Sequence, residues 1–151
     1  MSLARDFPDL PPLWMIGHGV AAAAVARVLP IWTFAGTTAR VLGVALAAAG
    51  LVLACWAALW FLRKRTTIEP REVPQTLIVE GPFRINRNPI YTGMAAMLLG
   101  FALWLGALSA LLVAALFPFV IDRRFVVGEE AALQARFGEE ARRYIGGTRR
   151  W

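Results

Sequence analysis

Residues 90–121 read IYTGMAAMLLGFALWLGALSALLVAALFPFVI, 32 residues without a charged side chain. As one helix, at about 1.5 Å per residue, they would measure about 48 Å, well beyond a bilayer hydrocarbon core of about 30 Å. A single span would also put Arg84 and Arg87 on one side of a membrane and Arg123 and Arg124 on the other, against the tendency of basic residues to gather on the cytoplasmic side. A fold back between Gly106 and Ser109 removes both difficulties. The stretch therefore predicts a helical hairpin whose two ends bring the four arginines together.

Toward the N-terminus, Val41 to Leu62 is uncharged over 22 residues, about 33 Å as a helix. It stops at Arg63-Lys64-Arg65, which places its C-terminal end in the cytoplasm. An earlier apolar run, about Leu10 to Phe34, is interrupted by His18, Arg27 and Pro30 and carries Trp14 and Trp32 near its ends, where amphipathic rings favour the headgroup level. It is expected to be a further span that starts inside. A signal peptide fits poorly, because Asp6, Asp9 and the early prolines replace a basic leader and no hydrophilic mature chain follows.

The expected fold is all-α and integral to the membrane. Four transmembrane helices, the last two a hairpin, are followed by a cytoplasmic amphipathic helix, and both termini are cytoplasmic. One domain covers residues 1–151, with two spans in 1–62 and the loop, hairpin and C-terminal helix in 63–151. Composition agrees: 58% of residues are apolar, 17% are charged and the mean hydropathy is +0.57, which excludes an ordinary water-soluble domain. The net charge is +6, and 13 of the 16 basic residues lie at or after Arg63. In so apolar a chain this excess fits an anionic membrane surface rather than nucleic acid. The predominance of Arg over Lys and the abundance of Ala suggest a GC-rich bacterial genome, hence an inner membrane. The lone Cys55 excludes a disulfide framework and a multi-thiolate metal site.

Between the second span and the hairpin, Thr66 to Asn88 is polar and holds Pro70, Pro74 and Pro82, with an extended piece at Thr76 to Val79; it reads as an ordered cytoplasmic loop. In the tail, Leu133, Phe137, Ala141 and Tyr144 recur at helical spacing, which predicts one amphipathic helix over Val126 to Tyr144. His18 reads as a packing or hydrogen-bonding group and Cys55 as a packed or lipid-facing one. Gly43, Ala47 and Gly50 mark a close helix contact, within the chain or between protomers.

The hairpin gathers Glu80 to Tyr91 and Asp122 to Glu130 at one end. Adjacent carboxylates at Glu129 and Glu130, opposite Arg84, Arg87, Asn88 and Tyr91, suit a ligand bearing both an ammonium and a carboxylate. The plainer alternative is a solvated helix start with the arginines on lipid phosphates.

The order of residues adds to this. Leu77-Ile78-Val79-Glu80-Gly81-Pro82-Phe83-Arg84, then Arg87-Asn88-Pro89-Ile90-Tyr91-Thr92-Gly93, then Glu129-Glu130, Phe137-Gly138-Glu139-Glu140, Tyr144 and Arg149-Arg150-Trp151 follow one another over more than half the chain. This pattern resembles the isoprenylcysteine carboxyl methyltransferase family in its short bacterial form, whose architecture and Glu-Glu pair the phospholipid N-methyltransferases share. The resemblance implies an S-adenosylmethionine-dependent methyltransferase, with S-adenosylhomocysteine as product and a lipophilic or small-molecule acceptor. Cofactor-binding roles fall on Gly81, Asn88, Tyr91, Glu129 and Glu130: a glutamate for the ammonium, Asn88 and an arginine for the carboxylate, and aromatic faces such as Tyr91 and Trp151 for the sulfonium or adenine. Arg87 is expected to orient the acceptor as the catalytic arginine, and no metal is implied. Asn88 stands where many members carry His, keeping hydrogen bonding without a titratable group, and Ala141 replaces a Tyr of the tail motif. Two competing classes are an NADPH-dependent membrane reductase of the sterol or enoyl type and a non-catalytic four-helix partner protein.

Overall fold

The structure, a computed structural model, describes residues 9–34, 36–68, 72 and 74–151; Asp6 and Pro70 lie outside them. The described residues are all-helical, with no β-strand. Six helices follow in order: α1 (Pro11–Val28), α2 (Thr37–Lys64), α3 (Pro89–Leu105), α4 (Leu108–Ile121), α5 (Val127–Phe137) and α6 (Glu139–Gly147).

The hairpin forms as the uncharged stretch predicts. Gly106 adopts a left-handed conformation at φ +70°, and its N–H caps the carbonyls of Ala102 and Leu103. Glycine carries no Cβ to oppose this turn. Around it the chain before α2 is pinned: Phe34 N–H donates to Gly106 O at 2.9 Å, and Leu108 N–H donates to Trp32 O at 2.9 Å. Trp32 thus sits at the end of the bundle opposite Arg63 and Lys64.

Among the described residues α2, with 28, is the one helix both long and apolar enough to cross a membrane. α1, α3 and α4 have 18, 17 and 14 residues. The apolar run expected to continue to Phe34 stops as a helix at Val28, because a residue before proline is pushed out of the helical region and Pro30 follows Leu29. The outward faces of α1, α2 and α4 expose Val20, Val52, Leu62, Leu116 and Phe119, each more than half accessible. Side chains of this kind spread around a bundle are what a surface facing lipid or a protein partner presents.

α2 and α3 meet through glycines. A Cβ added to Gly43 would lie 2.5 Å from Gly100 O, and one added to Gly50 would lie 2.5 Å from Gly93 O. These two contacts, seven residues apart on each helix, let antiparallel backbones approach directly. The close contact expected of Gly43, Ala47 and Gly50 is therefore made within the chain. α1 packs on α4 and α3, so the first two helices rest mainly on the hairpin rather than on each other.

Thr76 to Val79 lies in a non-helical loop, where Ile78 is buried with Ala57 and Phe83. After α4 a π-helical turn, Asp122–Val126, carries the chain straight into α5. One local expectation is corrected. The tail is two helices, since Gly138 at φ +55° and ψ −124° leaves the helical region between α5 and α6. Ala141 and Tyr144 still face inward, Ala141 fully buried.

Candidate functional site

Where α3 begins and α4 runs into α5, the loop before α3, the start of α1 and Tyr144 of α6 line a cavity of about 560 Å³. Its size is that of a small-molecule site, and its walls are mostly apolar with a few convergent polar groups. Aromatic and aliphatic walls come from Phe61, Phe83, Tyr91, Met94 and Phe125; the polar groups include Arg87, Asn88, Glu129 and Glu130.

Local chain chemistry explains how these groups arrive. Asn88 precedes Pro89, which starts α3 with the fixed φ that suits a first helical position. The Asn88 carbonyl accepts from Thr92 N–H at 2.9 Å and from Thr92 Oγ1 at 3.0 Å, and its own N–H donates to Asn86 Oδ1 at 3.0 Å. Tyr91 follows on the first turn of α3. On the other side, the wide turn at Asp122–Val126 buries Phe125 and Val126 and sets the register of the next carboxylates. Such turns inside helices are frequent at functional sites.

The two glutamates have different partners. Glu129 Oε1 accepts from Tyr91 Oη at 2.5 Å. Burial raises its pKa above 4.5; the Tyr91 hydrogen bond opposes that shift and the charge of Glu130 adds to it. Glu130 belongs to an ion-pair network. Its Oε1 accepts from Arg87 Nη2 at 2.8 Å, Arg87 Nε at 3.1 Å and Arg150 Nε at 3.0 Å, while Oε2 accepts from Arg150 Nη2 at 2.5 Å. Arg150 Nη1 also reaches Asp122 Oδ1 at 3.1 Å.

Arg87 is therefore not a guanidinium held open for an acceptor. Besides Glu130, its Nη1 donates to the carbonyls of Ile145 and Thr148, and its backbone N–H donates to Arg149 O at 2.8 Å. It fastens the chain's end to the loop before α3. Asn88 takes part in the same fastening, its Nδ2 donating to Arg150 O at 3.0 Å. Tyr144 completes it from α6, donating to Phe83 O at 2.8 Å, and burial pushes its phenol up to about 12.

Of the residues singled out in the sequence, Arg87, Asn88, Tyr91, Glu129 and Glu130 come together at this cavity. Gly81 does not line it: at φ +58° it lies against the Trp60 indole, where a side chain would collide. Arg84 and Trp151 are not on its wall either, and both are exposed. Asp122, Arg150 and Asn86 are the participants to which the sequence reading gave no role. For Asp122 and Glu130 a signal was present: they are eight residues apart, close to two helical turns, on one face. Arg150 meets its partners only through tertiary contacts, whereas Asn86 accepts from the Asn88 N–H just two residues on.

A carboxylate beside a tyrosine, a clamped pair of arginines and an apolar aromatic wall suit a cationic, aromatic small molecule far better than a metal. Among the described residues no group of acidic, His or Cys side chains could hold a metal ion. A family model for phospholipid methyltransferases matches residues 38–140, which contains α2, the loop, the hairpin and both glutamates. The chain belongs to the phospholipid methyltransferase family, a class of membrane methyltransferases. Over 62 residues it is also 39% identical to an uncharacterized protein of Haemophilus influenzae, covering 41% of this chain and 98% of that relative. No solved structure matches the chain.

Proposed function

We propose that this protein is an integral-membrane S-adenosylmethionine-dependent methyltransferase that acts on a lipophilic or small-molecule acceptor. In this reading residues 1–151 form one domain with α1 to α4 in a bacterial inner membrane, and both termini, the loop and α5 and α6 are cytoplasmic. The observation that carries the proposal is the convergence of Tyr91 and Glu129 on an apolar, aromatic cavity, inside the segment matched to a methyltransferase family.

The donor set fits the cofactor. Glu129, held by one hydrogen bond from Tyr91, is the carboxylate with capacity left for an ammonium group. Glu130 is already shared between two guanidiniums, so its part is to hold Arg87 and Arg150 in place. Arg87 is then a positioning residue whose clamp on Ile145, Thr148 and Glu130 fixes the wall that an acceptor meets. Phe125, Phe83 and the tail exclude water and offer aromatic faces toward a cation. Bound S-adenosylmethionine supplies an electrophilic methyl group on a sulfonium. What remains for these residues is orientation and a dry site, which explains how a methyltransferase can work without a nucleophile triad or a metal.

The test is calorimetric titration of the full chain, purified in a mild detergent, with S-adenosylmethionine, S-adenosylhomocysteine and NADPH. Binding of the first two and not the third is expected; binding of NADPH alone supports the reductase class, and binding of none supports a non-catalytic partner protein. For the topology, cysteines introduced at Thr67 and Ala107 in a Cys55→Ser background should label from opposite sides of sealed vesicles.

A further inference from the structure

A second cavity, of about 610 Å³, lies on the outside of the bundle as a groove between α1 and α4. Its floor is aliphatic, from Leu13, Gly17 and Ala21 of α1 and Val113 and Leu116 of α4. At its loop-side end stand Asp9, Trp14, His18 and Arg124. The α1 side lies outside the family-matched segment; Arg124 also reaches the wall of the first cavity, but the aliphatic floor at Leu13, Gly17 and Ala21 does not.

The groove differs from the other helix contacts in three ways. A Cβ placed on Gly17 meets nothing within 4 Å, whereas the glycines of α2 and α3 are in backbone contact; Gly17 faces room, not a neighbouring helix. Arg124 is fixed at the mouth, its Nε donating to Asp9 Oδ1 at 2.8 Å and its guanidinium lying 4.8 Å above the Trp14 ring, while its side chain stays 46% exposed. Trp14 Nε1 also donates to Asp9 Oδ1 at 2.8 Å, so Asp9 braces both members of the stack. One turn deeper, His18 Nδ1 donates to Trp14 O at 2.8 Å and its ring stands edge-on to Phe117, which fixes a flat wall beside the aliphatic floor.

We propose that this groove binds one anionic phospholipid from the leaflet facing Arg63 and Arg123. The Asp9 bond uses only Nε of Arg124, and the two terminal amines form the fork that matches the oxygens of a phosphate. Trp14 lies at the level of the ester region, and one acyl chain runs past Gly17 and Ala21 against Val113 and Leu116. A zwitterionic lipid offers the same chains, but its cationic headgroup group meets the guanidinium and cancels part of the attraction. This inference rests on the membrane placement proposed above, but not on the identity of the cofactor.

Native mass spectrometry of the full chain, released from detergent after titration with phosphatidylglycerol or phosphatidylcholine of identical chains, tests it. The wild type is expected to retain one phosphatidylglycerol about five-fold better than phosphatidylcholine, the preference that one basic residue near a membrane surface provides. Arg124→Gln should bring phosphatidylglycerol down to the phosphatidylcholine level. Gly17→Leu, whose side chain enters empty space and not a packed interface, should reduce retention of both lipids while leaving S-adenosylhomocysteine affinity unchanged. Equal retention of the two lipids by the wild type, or undiminished retention by Gly17→Leu, overturns the proposal. Failure of the wild type to bind S-adenosylhomocysteine counts against the methyltransferase reading and leaves the lipid comparison to be judged on its own.

Discussion

The seam between α2 and α3 and the ion-paired cap beside the cavity are held by opposite means. At the seam, Gly43, Gly50, Gly93 and Gly100 let two backbones touch, and what matters is the absence of side chains. At the cap, Arg87, Glu130, Arg150 and Asp122 cross-link four stretches of chain through long charged side chains. In the membrane placement proposed above, lipid offers a helix pair no hydrophobic gain, so the seam depends on close van der Waals fit. In the same placement the cap borders water, and there charge-assisted hydrogen bonds order a tail that has little apolar surface to bury. The difference predicts how each region fails: the seam through added volume, the cap through a removed charge.

The largest effect is expected at the seam. Gly50→Leu drives a side chain into the Gly93 carbonyl, and overpacking that no rotamer relieves should cost about 3 kcal/mol or more, read as loss of the monodisperse protein and of its thermal transition. A seam that tolerates leucine would mean that the two helices do not meet backbone to backbone.

Glu130→Gln comes next. Arg87 and Glu130 are 12% and 13% exposed, and removing the shared carboxylate leaves two guanidiniums facing each other, a loss of about 2–4 kcal/mol. Limited proteolysis should then cut after Arg149 or Arg150 well before the hairpin. A tail that stays protected would show that Tyr144 and Asn88 suffice to hold it.

Glu129→Gln separates binding from clamping. It should weaken S-adenosylhomocysteine by about 1.5–3 kcal/mol, roughly ten- to a hundred-fold, with little change in the tail's protection. The pH dependence has a definite sign. The folded-state pKa of Glu129 is raised above 4.5, so the folded chain holds the proton more tightly than the unfolded one. The stability this group contributes is therefore greatest when it is protonated and falls as pH rises from 4.5 through the raised value. Affinity for an ammonium ligand runs the other way and improves over the same window as the carboxylate ionises. Both slopes should flatten in Glu129→Gln; slopes that persist would move the titrating group elsewhere.

Arg150→Ala should cost about 1 kcal/mol, since its side chain is 36% exposed and solvent screens the pairs with Glu130 and Asp122. The smallest effect is expected at Glu139, which pairs on the surface with Arg142 three residues on. Glu139→Gln should shift neither stability nor ligand affinity by more than about 0.5 kcal/mol. A larger shift would place α6 against something other than solvent.

These two regions were also unequally readable. The glycine spacing of α2 announces a helix contact because a repeat of small residues on one face is a local pattern, and the hairpin turn announces itself because an uncharged run too long for one span must bend. The cap offers no such pattern. Arg87 reads as a free guanidinium facing a ligand until Ile145, Thr148 and Arg149 are seen to arrive beside it, and Gly81 reads as part of a cofactor loop until Trp60 is found against it. Gly138 belongs between the cases: its breaking power is local, but a helical period continues across it and masks the break.

The chain by itself determines that α2 and the hairpin are helices, where the hairpin turns, which end gathers the arginines, and that Glu129, Glu130, Tyr91, Asn88 and Arg87 share that end. Hydrophobic run length, charge placement and residue order carry this information, and each acts over a few turns of chain. Tertiary structure alone decides that α1 rests on α4, leaving a groove at Gly17, that Glu130 is shared by two arginines while Glu129 faces the cavity, and that the last residues are tied to Arg87, Asn88 and Glu130. Those outcomes depend on side chains 20 to more than 60 residues apart coming within hydrogen-bonding distance, and no local spacing encodes which donor reaches which acceptor first.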